Sequence, residues 1–254
     1  MALEPLEMTT GLNKIDFAMK LLREWQPDEG YYLAFSGGKD SVVLYDIAVK
    51  SDVKFDAHYS VSPIDPPEVQ KFIREHYPDV EWEYHAKGFW NIVDKKSLPM
   101  RQQRWCCELI KESGGSGRIV LTGVRSAEST KRSKKNFVES YIRNNIKKVL
   151  VSPLLQFTDS DIWQYIRENS LHYCSLYDEG FTRIGCILCP MNGKKDVIKM
   201  DLERYPKIVN LWKRACDRLV QANKDNNYLS KRGKPLKHHF NTGEEMFQWW
   251  ISRK

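Results

Sequence analysis

No run of about 18 apolar residues occurs in this chain of 254 residues, so no membrane-spanning helix is expected. The first 25 residues, MALEPLEMTTGLNKIDFAMKLLREW, lack the pattern of a secretory leader, and the cytoplasm is the expected location. No internal repeat is visible, and GGSG at 114–117 is no more than a short flexible turn. Acidic charge is the minority: 33 Asp and Glu stand against 40 Lys and Arg, for a net charge of +7. That balance suits polyanionic partners such as nucleotides or nucleic acid, and equally suits a basic soluble enzyme. An aromatic content of 12% with eight Trp argues against disorder. The length supports one large domain, or a domain with an appendage, around a sizeable core. A Walker loop, G-x-x-x-x-G-K-[ST], is also missing.

Another glycine turn is present. In YYLAFSGGKDSVVLYDI (31–47) an apolar run meets Ser36-Gly37-Gly38-Lys39-Asp40-Ser41, and an apolar run resumes. Tyr31 to Phe35 reads as a buried parallel strand and 40–49 as a helix that starts in the loop. Further strands are expected at 55–59, 80–84, 118–122 and 148–152. A helix is expected at 11–25, with Ile15, Ala18, Leu21, Leu22 and Trp25 on one face. Another follows Pro66 and Pro67, with Val69, Phe72 and Ile73 turned inward. Alternating strands and helices predict an α/β fold: a Rossmann-like, mainly parallel sheet with helices on both faces. From about residue 156 only helical patterns follow. The expected division is therefore an α/β core at 1–155 and a helical C-terminal region at 156–254.

A strand that runs through glycines into a helix sets the helix N-terminus, with its unpaired N–H groups, against an anion. Gly37 and Gly38 let backbone approach phosphate oxygens. Lys39 can neutralise phosphate charge, and Ser36 and Ser41 can donate hydrogen bonds. Asp40 can cap the helix or help hold Mg²⁺.

Six cysteines in a chain expected to be cytosolic point away from disulfides. Cys106 and Cys107 are adjacent in RQQRWCCELIK, and Cys186 and Cys189 form C-x-x-C in TRIGCILCP. Four thiolates can hold Zn²⁺ or an iron–sulfur cluster. Side chains of neighbouring residues point apart and suit two irons of a cubane better than one small Zn²⁺. Cys216 shares a helical face with Trp212 and Leu219 and reads as core. Cys174 reads as structural or as a reactive thiol.

SGGKDS resembles the PP-loop of the adenine-nucleotide α-hydrolase superfamily, whose members bind ATP and cleave it between the α and β phosphates. The tandem cysteines, LTGVRSAESTKRS (121–133), PLLQFTDSDIWQYI (153–166) and YDEGFTRIGCILCP (177–190) follow in the order found in PAPS/APS reductase-like proteins. This resemblance covers roughly residues 30–190. It implies a PP-loop core and a [4Fe–4S] cluster held by Cys106, Cys107, Cys186 and Cys189, the last two supplied by the C-terminal region. It implies that Lys111 lies near cluster and substrate. Gly123 and Arg125 fall where a strand ends at the carboxyl edge of the sheet, where ligands bind in open α/β folds. Arg125 can fork onto a phosphate or sulfate. Lys131, Arg132, Lys134 and Lys135 read either as a solvated loop or as an anion clamp.

Two departures matter. Sulfonucleotide reductases carry a nucleophilic cysteine in a C-terminal segment, and KHHFNTGEEMFQWWISRK has none. Reductases of this family also carry an altered phosphate loop, whereas SGGKDS is intact. The expected activity is therefore a cluster-bearing ATP pyrophosphatase that adenylylates an acceptor in sulfur transfer. Lys39, Asp40 and Arg125 would act at the phosphates, with ATP and Mg²⁺ bound. Similar proteins act in DNA phosphorothioation and RNA thiolation, so nucleic acid or a sulfur carrier is the expected partner. The tail residues Lys231, Arg232, Lys234, Lys237, His238 and His239 are candidate backbone contacts. The alternatives are an APS or PAPS reductase that uses Cys174 or a partner's thiol, and a non-catalytic nucleotide and cluster sensor.

Overall fold

A computed structural model describes residues 11–143, 146–192, 195–229 and 233–252. The chain divides into two compact units. The first runs through Val61 and adds Pro67–Glu83 and Ser113–Ile184; the second comprises Ser62–Pro66, Tyr84–Glu112 and the chain from Gly185 onward. This division does not follow the boundary expected after residue 155. The segment 156–184 belongs with the sheet because its helix packs into the sheet's core.

The first unit holds a six-stranded sheet: β1 (Tyr31–Ala34), β2 (Phe55–Ser60), β3 (Glu81–Glu83), β4 (Ile119–Leu121), β5 (Val138–Arg143) and β6 (Ile146–Val151). The order is β3-β2-β1-β4-β6-β5. Every neighbouring pair is parallel except β5 with β6. The mainly parallel α/β sheet expected from the alternating pattern is present. The strand β5 was not expected. It is an antiparallel edge strand, and its alternation is weak because Ile142 is 72% exposed, so VESYIR carries little of the buried-strand signature.

The helices of this unit are α1 (Lys14–Glu24), α2 (Lys39–Lys50), α3 (Pro67–His76) and α5 (Asp159–Glu168). Their apolar faces, including Leu22, Val43, Ile47, Phe72, Ile73, Ile162 and Ile166, share one core with Tyr31, Leu33, Ala57, Tyr59, Leu121 and Val151. Those strand residues sit at alternate positions and so define one face of the sheet. Local signals set the helix starts. Asn13 caps α1 by accepting the Asp16 N–H. Thr158 and Asp161 form a reciprocal capping box on α5. The Tyr165 hydroxyl, carried by α5, donates to Asp46 of α2 at 2.6 Å.

The second unit contains α4 (Phe89–Lys96), α6 (Lys195–Arg204), α7 (Pro206–Asp225) and α8 (Gly243–Ser252). Its core is built around Trp212, whose ring lies 4.5 Å from Trp250, 5.0 Å from Trp90 and 5.6 Å from Phe89. Cys216 is fully buried in this cluster beside Leu219, the packing role its helical spacing implied.

Candidate functional site

The strand order reverses at β1. The chain leaves β1 for β2 on one side, while β4 lies on the other. In open α/β sheets ligands bind outside the carboxyl ends of the strands at such a switch point. Here a cavity of about 210 Å³ opens there, lined by Ser36, Gly38, Lys39, Asp40 and Ser41 after β1 and by Gly123 and Val124 after β4. Glu128, Arg132, Tyr177 and Arg183 complete its wall.

The loop needs its glycines. Gly37 has φ +70, and a Cβ there would fall 2.8 Å from Val69 Cγ1 and 3.0 Å from Ile73 Cδ1. A Cβ on Gly123 would meet the Asp40 carbonyl at 3.2 Å, so the β4 turn presses directly on the start of α2. Ser41 closes the loop: its hydroxyl donates to Gly38 O at 2.8 Å and accepts the Ser36 N–H at 3.2 Å.

The charged residues are arranged differently from their expected roles. Arg125 is 3% exposed and does not line the cavity. Its Nε lies 2.6 Å from Asp40 Oδ1, and its Nη2 donates to Asp159 Oδ1 at 2.6 Å. Nη1 donates to the Phe157 carbonyl at 3.3 Å. Its fork is thus occupied by protein carboxylates, which makes Arg125 a brace for the loop. Lys39 is equally buried, with Nζ 3.4 Å from Asp159 and 3.8 Å from Asp40. Burial raises the Asp40 carboxyl above its usual range despite both cations. Burial also works on Asp159, but Lys39 and Arg125 outweigh it and hold that carboxyl low. Arg132 pairs with Glu128. Three cations therefore face three carboxylates, while Arg183 is exposed and has no carboxylate partner among the described residues. Arg183 is thus a lining cation whose charge no carboxylate among the described residues offsets.

Sequence reading missed Asp159, Tyr177 and Arg183 as members of this site. Tyr177 and Arg183 do lie in the quoted YDEGFTRIGCILCP stretch, but their placement is tertiary. The Tyr177 hydroxyl accepts the Lys39 backbone N–H at 3.0 Å. Lys131 and Lys134 are exposed, and Lys135 pairs with Glu139 at 2.5 Å, so of that basic stretch only Arg132 reaches the cavity.

In the second unit, Cys106, Cys107, Cys186 and Cys189 are all unbridged and half-buried. Cys106 is in right-handed helical conformation and leads into a short wide helical turn at Cys107–Lys111. A hydrogen bond between the tandem thiols pushes Cys106 up and, helped by Arg104, lowers Cys107 to about 6. Cys186 and Cys189 act electrostatically on Cys106 as well, so the four sulfurs share one neighbourhood. Burial first, and then Asp65 and Cys189, raise Cys186 against the pull of Lys111. Lys111 donates to both Asp65 oxygens at 2.7 and 2.8 Å, and Asp65 accepts from Cys186 Sγ at 3.3 Å. Lys111 is linked to Cys186 through Asp65, a carboxylate that the sequence did not single out. Among the described residues no three His, Cys, Asp or Glu side chains converge as a single metal ion requires. Four cysteines in one neighbourhood, with Arg104 and Lys111 beside them, are the donor type that an iron–sulfur cluster uses. Cys174 is 0% exposed within the core of the first unit.

In the tail, Lys231 and Arg232 lie outside the described residues. His239 stacks on Tyr228 at 4.3 Å, and His238 lies 4.9 Å from the Trp249 ring. Lys237 is exposed. No helix of the described residues is long and apolar enough to cross a membrane.

The family model described as the phosphoadenosine phosphosulfate reductase domain matches residues 30–192. An uncharacterised protein of Methanocaldococcus jannaschii is 30% identical over 191 residues, which are 70% of this chain and 46% of that protein. The chain thus spans less than half of that relative's length. An adenosine 5'-phosphosulfate reductase of Oceanobacillus iheyensis is 31% identical over 175 residues, covering 61% of this chain and 69% of the enzyme. A probable FAD synthase of Schizosaccharomyces pombe is 29% identical over 192 residues, covering 71% and 69%. Among solved structures, Candida glabrata FMN adenylyltransferase in complex with FAD and inorganic pyrophosphate shares the fold. It has a TM-score of 0.53 at 15% identity, covering 68% of this chain and 62% of that one.

Proposed function

The chain belongs to the phosphoadenosine phosphosulfate reductase domain family, and on that premise we propose that it binds ATP and transfers AMP to an acceptor oxygen in a sulfur-transfer reaction. The observation that carries this reading is the cavity at the β1/β4 switch point, walled by an intact SGGKDS loop and the start of α2. The acceptor oxygen attacks the α-phosphorus, the bond to the bridging α–β oxygen breaks, and pyrophosphate leaves. The loop's backbone and the N-terminus of α2 would hold the leaving pyrophosphate. Ser36 and Ser41 line the same wall. Lys39 sits at the base of the loop as a fixed positive charge, held by Asp40 and Asp159. Arg183 supplies the uncompensated charge that favours the anion in the ground state and as charge develops. Arg125 acts through Asp40 and not on substrate. Mg²⁺ would enter on the nucleotide's own phosphate oxygens, since the Asp40 carboxylate is engaged by Arg125 and Lys39.

Cys106, Cys107, Cys186 and Cys189 would hold a [4Fe–4S] cluster, which supplies electron transfer or a structural tie when bound. Asp65 and Lys111 would fix and balance the Cys186 side of it. The acceptor is nucleic acid or a sulfur carrier, in keeping with the charge of +7 and the described tail residues Lys234, Lys237, His238 and His239.

A second reading is a sulfonucleotide reductase, favoured by the relatives that carry that name. The burial of Cys174 counts against it, because an attacking thiol must reach its substrate. One experiment separates the readings. Protein purified without oxygen is incubated with ATP, APS or PAPS, and pyrophosphate and sulfite are measured. Acceptor-dependent pyrophosphate from ATP is expected. Sulfite from APS or PAPS would sink the proposal. ATP binding with no turnover on any acceptor tried would favour a nucleotide sensor.

A further inference from the structure

The Tyr177 hydroxyl is a polar group of the cavity wall whose bonding is incomplete among the described residues. Its oxygen accepts the Lys39 N–H, one of the free amides in the first turn of α2. Its own proton finds no acceptor among the described residues. The ring is held firmly. Trp163 meets it edge to face at 5.2 Å, and Lys39 Nζ lies 5.5 Å from its centroid. Burial raises the phenol well above its ordinary value, so it stays protonated at neutral pH and remains a donor. A half-buried donor with no protein acceptor is free to donate to a ligand, and Tyr177 lines the cavity beside Ser36, Gly38 and Arg183.

We propose that Tyr177 is a substrate-contacting residue that relays the α2 N-terminal amide: Lys39 N–H donates to the phenol oxygen, and the phenol O–H donates to a phosphate oxygen of a nucleotide polyphosphate in the loop. This rests on the ATP-binding reading above and extends it by naming a ligand-facing donor outside the loop. A donor that is itself accepting a hydrogen bond is polarised and strengthened. The geometry also couples the loop to the Asp178–Arg183 stretch. Tyr177 and Arg183 lie six residues apart on one segment, so a phosphate held by the phenol would be presented to the guanidinium.

The test is equilibrium binding of ATP, inorganic pyrophosphate and adenosine to the full chain and to Tyr177→Phe, with thermal unfolding of both unliganded proteins. Tyr177→Phe keeps the ring and its packing. A hydrogen bond to a charged acceptor corresponds to roughly ten-fold or more in affinity. The expected result is about ten-fold weaker binding of ATP and pyrophosphate, with adenosine binding unchanged and melting within a few degrees. Unchanged polyphosphate affinity would overturn the proposal. Tighter binding would overturn it too, by showing that the phenol competes with phosphate for the Lys39 amide. An equal loss for adenosine would mark a merely structural role. Failure of the unaltered chain to bind ATP or pyrophosphate would overturn the ATP reading itself, and with it the relay.

Discussion

Replacing Arg125 with methionine removes the cation that braces the loop and leaves Asp40 behind. Breaking a fully buried ion pair from one side costs about 3–5 kcal/mol. Two facts reduce that here. The Asp40 side chain is 24% exposed, and Lys39 Nζ remains 3.8 Å from it. Asp159 is 61% exposed, and its share is under about 1 kcal/mol. The expected loss is therefore about 2–3 kcal/mol. For a chain of this size that is a fall in Tm of roughly 5–10 °C. Thermal and urea unfolding at pH 7, followed by circular dichroism, would measure it. The double variant Asp40→Asn, Arg125→Met provides the control. With no carboxylate left to strand, it should recover most of the loss, because the raised Asp40 carboxyl shows that its charge is held at a cost. ATP affinity should fall in the single variant and return in part in the double. If the double variant is less stable than Arg125→Met, the bracing argument is wrong.

Gly37→Ala forces a side chain into left-handed backbone and against Val69. Together these should cost about 2–4 kcal/mol and abolish ATP binding, as calorimetry would show; retained affinity would mean the loop conformation is not the binding one. Burial alone would raise the Asp161 carboxyl, but Lys14 and the Thr158 cap hold it below its usual range. Its contribution is thus complete above its unfolded pKa of about 3.9 and lost as pH falls through the lower folded value. Asp161→Asn should cost about 1 kcal/mol at pH 7 and flatten the acid limb of a stability–pH curve below about pH 4; an unchanged limb would refute this assignment. Protein prepared without oxygen should carry about four irons and four sulfides per chain. Cys186→Ser and Cys189→Ser should each lower both, and a single zinc without sulfide would refute the cluster.

Much of this protein was legible without tertiary structure because its signals are local. The run Tyr31–Phe35 is buried on both faces, so continuous apolarity was enough to mark a central strand. The SGGKDS turn marked a helix N-terminus, and the spacing of Trp212, Cys216 and Leu219 marked one buried face. The edge strand β5 was not legible, since half-exposed residues carry no clear period. Nor was the assignment of 156–184 to the sheet unit, because a helical pattern records which face is apolar and not which surface it meets.

The amino-acid order alone determined the SGGKDS turn, the two cysteine pairs and the mainly parallel α/β class. Each depends on residues within a few positions of one another, where backbone geometry dictates the outcome. Only the tertiary structure decided what the cations do. Arg125 and Lys39 are neutralised by Asp40 and Asp159, and Asp159 lies far along the chain from both Asp40 and Lys39. Charge is a sum over neighbours in space, so the unpaired guanidinium of Arg183 and the unspent hydroxyl of Tyr177 emerge only when the chain is folded around the cavity.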